Sequence, residues 1–129
     1  DPQAQLVDNL GTLKYFSLMA IASAMVGNSS SGLVEAPSLA LPVVNIGARQ
    51  QGRLRAQNVI DVGYNREDIL EGIGRATDPV FVRSLQDMAN PYGDGQASTI
   101  ILDRLKSAPL DAKLLRKRFY DVSLDSVAK

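Results

Sequence analysis

"AMVGNSSSGLVEAPSLALPVVNIG", residues 24–47, passes from an apolar run through a turn of small polar residues into a second apolar run. "AMVGN" (24–28) predicts a short buried strand. "LVEAPSLA" (33–40) predicts a short helix beginning near Gly32, early enough that Pro37 breaks few hydrogen bonds. "PVVNIG" (42–47) predicts a second short strand, rich in β-branched residues. Further along, "VIDVG" (59–63) predicts a third. Short, continuously apolar strands that alternate with helices indicate an α/β fold, with a parallel sheet covered on both faces.

The flanking segments extend this pattern. "GTLKYFSLMAIAS" (11–23) has Leu13, Phe16 and Leu18 near helical spacing, with Thr12 as a cap. "REDILEGIGRAT" (66–77) predicts a helix capped by Asn65, with acids in its first turn. "PVFVRSLQDMA" (79–89) predicts a helix after Pro79. "NPYGDG" (90–95) is a loop, and "QASTIILDRLKS" (96–107) another amphipathic helix. The tail over 109–129 carries the basic cluster "KLLRKRF" and predicts a short or frayed helix. A stub at Leu6–Val7 would be a fourth strand. Three or four strands are fewer than a full doubly wound domain holds. The expected fold is therefore a Rossmann-like parallel sheet with flanking helices: one partial domain over 1–129, of which the first strands are missing.

The 129 residues suffice for one modest domain with a core. Fourteen basic and 14 acidic residues balance to zero formal charge, which argues against broad binding to nucleic acid or an anionic membrane. The chain has no cysteine and no histidine. Within it, that excludes disulfides, thiolate and imidazole metal sites, a Cys nucleophile and any Ser-His-Asp triad. No apolar run reaches membrane-spanning length. The N-terminus "DPQAQLVDN" lacks the regions of a signal peptide and reads as a chain entered midway.

In parallel sheets, ligands bind beyond the carboxyl ends of the strands. The turn after "AMV" lies at that edge. There Asn28, Ser29, Ser30 and Ser31 offer polar groups, and Gly32 would let a ligand approach the backbone. A helix starting here adds free N–H groups and a partial positive charge, which suit phosphate. Glu35, one turn in, has a carboxylate suited to a ribose diol beside that phosphate. The same residues also make an ordinary capped turn, with Glu35 favouring the helix dipole. Asn28-Ser29-Ser30 matches a glycosylation sequon, which we read as accidental at a strand end. After the second strand comes "ARQQGRLRAQN" (48–58), with Arg49, Arg53 and Arg55 opening on the same edge. Arginines can clamp a diphosphate bidentately; a solvated basic loop is the alternative.

Together, "GNSSSGLVEAPSLALPVVNIGARQQGR" (27–53), "NLGTLKYFSLM" (9–19) and "NPYGDGQAS" (90–98) resemble the UDP-N-acetylglucosamine 2-epimerase family, from about Asn9 to Lys106. "NPYGDG" is shared with the non-hydrolysing branch. That branch usually has Asp-Ser-Gly-Gly where this chain has Asn28-Ser29-Ser30-Ser31, so the resemblance points to the hydrolysing branch. It implies part of the C-terminal domain of a GT-B-type two-domain fold. It places Ser29 and Ser30 on the UDP phosphates, Glu35 on the ribose hydroxyls and Arg49 near the diphosphate. Asn28, Ser31, Gly32 and Arg53 follow as weaker members, and the "NPYGDG" loop would shape the cleft or its hinge. For Tyr92 and Asp94 a plain turn, with Asp94 capping the next helix, is favoured over ligand contact.

The implied reaction eliminates UDP to a glycal, then adds water with inversion at C2, feeding sialic- or legionaminic-type sugar synthesis. Its catalytic carboxylates and a cleft histidine come mainly from preceding segments. The resemblance thus implies a cytoplasmic enzyme with no cofactor or metal. Its partners would be a UDP-sugar, the missing N-terminal domain and, as an option, a second copy. The competing readings are the nucleotide-sugar-binding part of a GT-B glycosyltransferase and a non-catalytic interaction module.

Overall fold

The computed structural model describes residues 1–116; the expected tail helix beyond Arg116 lies outside them. The chain forms two compact units, Asp1–Asp94 and Gly95–Lys129. In the first, α1 (Gly11–Ile21) leads to β1 (Met25–Gly27), α2 (Ser31–Val34), a 3₁₀ turn (Ala36–Leu39), β2 (Val43–Ile46), β3 (Val59–Val62), α3 (Arg66–Ala76) and α4 (Pro79–Ser84). The sheet has the order β1-β2-β3 and both pairings are parallel, with Met25 opposite Val43 and Val43 opposite Val59. The expected Rossmann-like α/β class is the one observed. Leu6 and Val7 are exposed and form no strand, so the sheet has three strands among the described residues.

Adjacent valines show how the sheet is covered. Side chains alternate across a strand. Val43 therefore joins a core with Met19, Ala36 and Leu41, against Tyr15 and Ala22. Val44 faces the other way, into a core with Ile60 and Ala76 that Ile73 and Phe81 complete. On the first face, α1 does not pack as its sequence suggests. Leu13, Phe16 and Leu18 are exposed, whereas Tyr15, Met19 and Ala22, spaced four and three apart, turn inward. Apolar residues lie on several sides of α1, so spacing alone does not select the packed side. Thr12 is inside the helix; Asn9 Oδ1 instead accepts the Gly11 N–H at 2.7 Å.

Glycine sets how closely the helices approach β2. A Cβ on Gly32 would lie 2.7 Å from Val43 Cγ1 on one face, and a Cβ on Gly72 would lie 2.9 Å from Val44 Cγ1 on the other. Asn58, fully buried, spans the strand entries: its Nδ2 donates to the Leu41 carbonyl at 2.8 Å. The α3 start is as expected. Asn65 Oδ1 accepts the Asp68 N–H at 2.8 Å, with Glu67 and Asp68 in the first turn. α4 ends at Ser84, sooner than the sequence suggests.

In the second unit, α5 (Ala97–Ser107) and α6 (Ala112–Leu115) follow the loop. Gln96 occupies the N-cap position of α5.

Candidate functional site

β1 and β2 run in the same direction, so the segments leaving them, 28–30 and 47–58, emerge at one edge of the sheet. In the first segment, Ser29 Oγ accepts the Ser31 N–H at 3.3 Å. Ser30 stands at the N-cap position of α2 without a side-chain cap bond. The backbone N–H groups of Ser29 and Ser30 donate to no group among the described residues. These two N–H groups and the Ser30 hydroxyl are therefore free to meet an acceptor. The helix behind them has only four residues. Its few aligned peptides sum to a small dipole, so the partial charge expected of a full helix gives way to discrete donors.

The second segment reaches across to the first. Arg49 Nη1 lies 3.3 Å from Asn28 Oδ1 and 3.5 Å from the Asn28 carbonyl. Gln50, 3% exposed, donates from Nε2 to that same carbonyl at 2.6 Å. The structure thus brings Arg49 to the serine turn, and it adds Gln50, which sequence reasoning passed over. Its position beside Arg49 in "ARQQGR" was the available signal.

The other two arginines differ from each other. Arg55 is committed, with Nε 2.6 Å from Asp61 Oδ2 and Nη1 donating to the Arg53 carbonyl at 2.8 Å. Asp61 Oδ1 also accepts from Asn45 Nδ2 at 2.6 Å. The Arg53 side chain is exposed and makes no bond among the described residues. At the segment's start, Gly47 has φ 75° and the Tyr64 ring occupies the place of a Cβ. The Tyr64 hydroxyl accepts the Ala48 N–H at 3.0 Å.

Glu35 sits where α2 ends and the 3₁₀ turn begins, not in a first helical turn, so it does not favour a helix dipole. It lines a cavity of about 690 Å³ together with Ser31, Asn9, Thr12, Tyr15 and Phe16. Glu35 Oε2 is buried and has no hydrogen-bond donor among the described residues. A buried carboxylate oxygen normally has donors. Ser31 belongs to the same cavity, its Oγ 4.0 Å from Met19 Sδ. A Cβ on Gly32 would meet Val43, so its lack of a side chain serves helix-to-sheet packing.

The "NPYGDG" loop closes around these elements. Asn90 Nδ2 donates to the Val34 carbonyl at 2.9 Å and to Ser38 Oγ at 2.7 Å. The Tyr92 hydroxyl donates to the Leu54 carbonyl at 3.1 Å. Tyr92 thereby ties the loop to the arginine segment. Among the described residues no cluster of His, Cys, Asp or Glu could hold a metal ion, and no helix is long and apolar enough to cross a membrane.

A sequence model of the UDP-N-acetylglucosamine 2-epimerase family matches residues 2–106. The chain belongs to this family. Among curated relatives, the GDP/UDP-N,N'-diacetylbacillosamine 2-epimerase (hydrolyzing) of Campylobacter jejuni is 59% identical over 66 residues, which are 51% of this chain and 17% of that protein. The UDP-N,N'-diacetylbacillosamine 2-epimerase (hydrolyzing) of Legionella pneumophila is 37% identical over 116 residues, 90% of this chain and 30% of that protein. Among solved structures, UDP-GlcNAc 2-epimerase from Neisseria meningitidis bound to UDP-GlcNAc superposes with a TM-score of 0.67 at 27% identity. It covers 79% of this chain and 29% of that one. The chain of this epimerase-family member thus spans less than a third of the length of these relatives.

Proposed function

We propose that the chain is the UDP-binding portion of a hydrolysing UDP-N-acetylglucosamine 2-epimerase. The full-length enzyme eliminates UDP from UDP-GlcNAc or a related UDP-sugar and inverts C2 to give a ManNAc-type sugar. In this reading the Ser29 and Ser30 hydroxyls and N–H groups receive the phosphates. Arg49 sits beside them and offsets the charge that develops on the departing diphosphate. Arg53, whose side chain makes no bond among the described residues, is the further cation within the same segment. The ribose hydroxyls donate to Glu35, whose buried Oε2 lacks a donor. Proton transfer at C2 falls to residues outside this chain, which has no histidine.

The observation that carries the reading is the meeting of Arg49 with the serine turn, 21 residues apart in sequence, at one sheet edge. Family membership favours the epimerase over the glycosyltransferase and the interaction module. Calorimetric titration of the full-length protein with UDP and with uridine tests it. Replacing Ser29 and Ser30 together by Ala should weaken UDP about tenfold or more and spare uridine. Unchanged UDP affinity in a folded double variant would remove the phosphate seat.

A further inference from the structure

We infer that Gln50 is a positioning residue: it fixes the direction in which the serine turn presents its N–H groups, and so sets the preference for a diphosphate over the bare nucleoside. The inference rests on the nucleotide seat proposed above and adds a residue that seat does not contain.

The argument begins with the peptide between Asn28 and Ser29. Gln50 Nε2 holds the Asn28 carbonyl at 2.6 Å, and Arg49 Nη1 is 3.5 Å from the same oxygen. A trans peptide is planar, with its C=O and N–H pointing in opposite directions, and the chain has no cis bonds among the described residues. A carbonyl held toward the arginine segment therefore turns the Ser29 N–H away from it, outward. That N–H is one of the two donors without a protein partner. If the peptide rotated, it would present a carbonyl oxygen to a phosphate instead of a donor.

The choice of glutamine supports the role. The side chain is 3% exposed, and its Oε1 is buried without a hydrogen bond. A position needed only to fill space would take Met or Leu, without stranding an amide oxygen. What Gln50 supplies that those residues cannot is the short N–H bond to the Asn28 carbonyl. Arg49 offers a weaker grip on this carbonyl, longer and shared with Asn28 Oδ1, so it does not replace Gln50. Gln50 also touches the turn from behind, through the chain, and not through the ligand.

The test uses the full-length protein and the ratio of its UDP to uridine affinities. Gln50→Met keeps the volume and removes the donor. It should lower UDP affinity about tenfold and leave uridine within about twofold, so the ratio collapses. A merely structural role would weaken both ligands together, or lower the melting temperature with the ratio intact; either result overturns the inference. Should Gln50→Met not fold, the wild-type protein supplies a second measurement. UDP should shift the NMR resonances of the Gln50 side-chain NH₂ group, and uridine should not. Equal shifts with both ligands also overturn it. The failure of the underlying seat has its own signature: a wild-type protein that does not prefer UDP to uridine sinks both proposals. A wild-type preference that persists in Gln50→Met sinks this one alone.

Discussion

Glu35→Gln should separate binding from stability, and in an unusual direction. In the free protein, Glu35 Oε2 is buried without a donor. An unsatisfied buried acceptor destabilises a fold by about 1–3 kcal/mol, and more when charged. The amide removes the charge while keeping the size. Stability of the variant should therefore be unchanged or higher, within about 1 kcal/mol. Binding should move the other way. A carboxylate facing a ribose diol accepts two charge-assisted hydrogen bonds, and the amide retains one neutral acceptor. Losing one bond to a charged group costs roughly 1.5–3 kcal/mol, which is about a ten- to hundredfold loss of affinity. Both UDP and uridine carry the ribose, so both should weaken by the same factor. The assay is calorimetric titration of the full-length variant with each ligand, paired with its thermal denaturation. A melting temperature that falls while both affinities hold would refute the reasoning, since Glu35 would then be stabilising the fold through contacts internal to the protein.

Arg49→Ala should weaken UDP binding more at low ionic strength than at high, because salt already screens part of an exposed charge contact; titrations at two salt concentrations decide, and equal losses would assign Arg49 to holding Asn28. Gly32→Ala should destabilise by roughly 1–3 kcal/mol, the range for overpacking a filled interior, because the new methyl would lie 2.7 Å from Val43 Cγ1. Denaturant unfolding measures it, and a neutral result would mean that α2 lifts off the sheet without strain.

The parts of the fold that were legible in the sequence are those governed by local rules. β2 and β3 read as apolar runs, and α3 announced itself through Asn65, whose cap bond is made within its own first turn. The serine turn and the arginine-bearing turn read as ligand-facing because parallel strands place successive turns at one edge. Other features depend on which elements meet. The packed side of α1 is chosen by Met19 reaching Val43 and Ala36, not by spacing. The division of the second helix into α2 and a 3₁₀ turn places Glu35 at a junction, and a short apolar run does not reveal such a change of pitch. Gln50 and the Asn45–Asp61–Arg55 chain join residues 22, 16 and 6 apart. Their partners become neighbours only when β1, β2 and β3 are in register.

The two glycines that bracket β2 carry a consequence for how this sequence can drift. Gly32 abuts Val43 on one side of the strand, and on the other Gly72 abuts Val44 together with Val62 of β3. Each contact works as a fixed sum of volumes. A methyl gained at either glycine has to be given up by the valine or valines facing it, and Val43 and Val44 have no slack to share because they point to opposite faces. Substitutions at these positions should therefore be accepted as coupled sets, 32 with 43 and 72 with 44 and 62, while the two sets vary independently. Drift through β2 then follows two separate exchanges, and a relative carrying alanine at the position of Gly32 should carry a smaller residue opposite it, whatever stands at the position of Gly72.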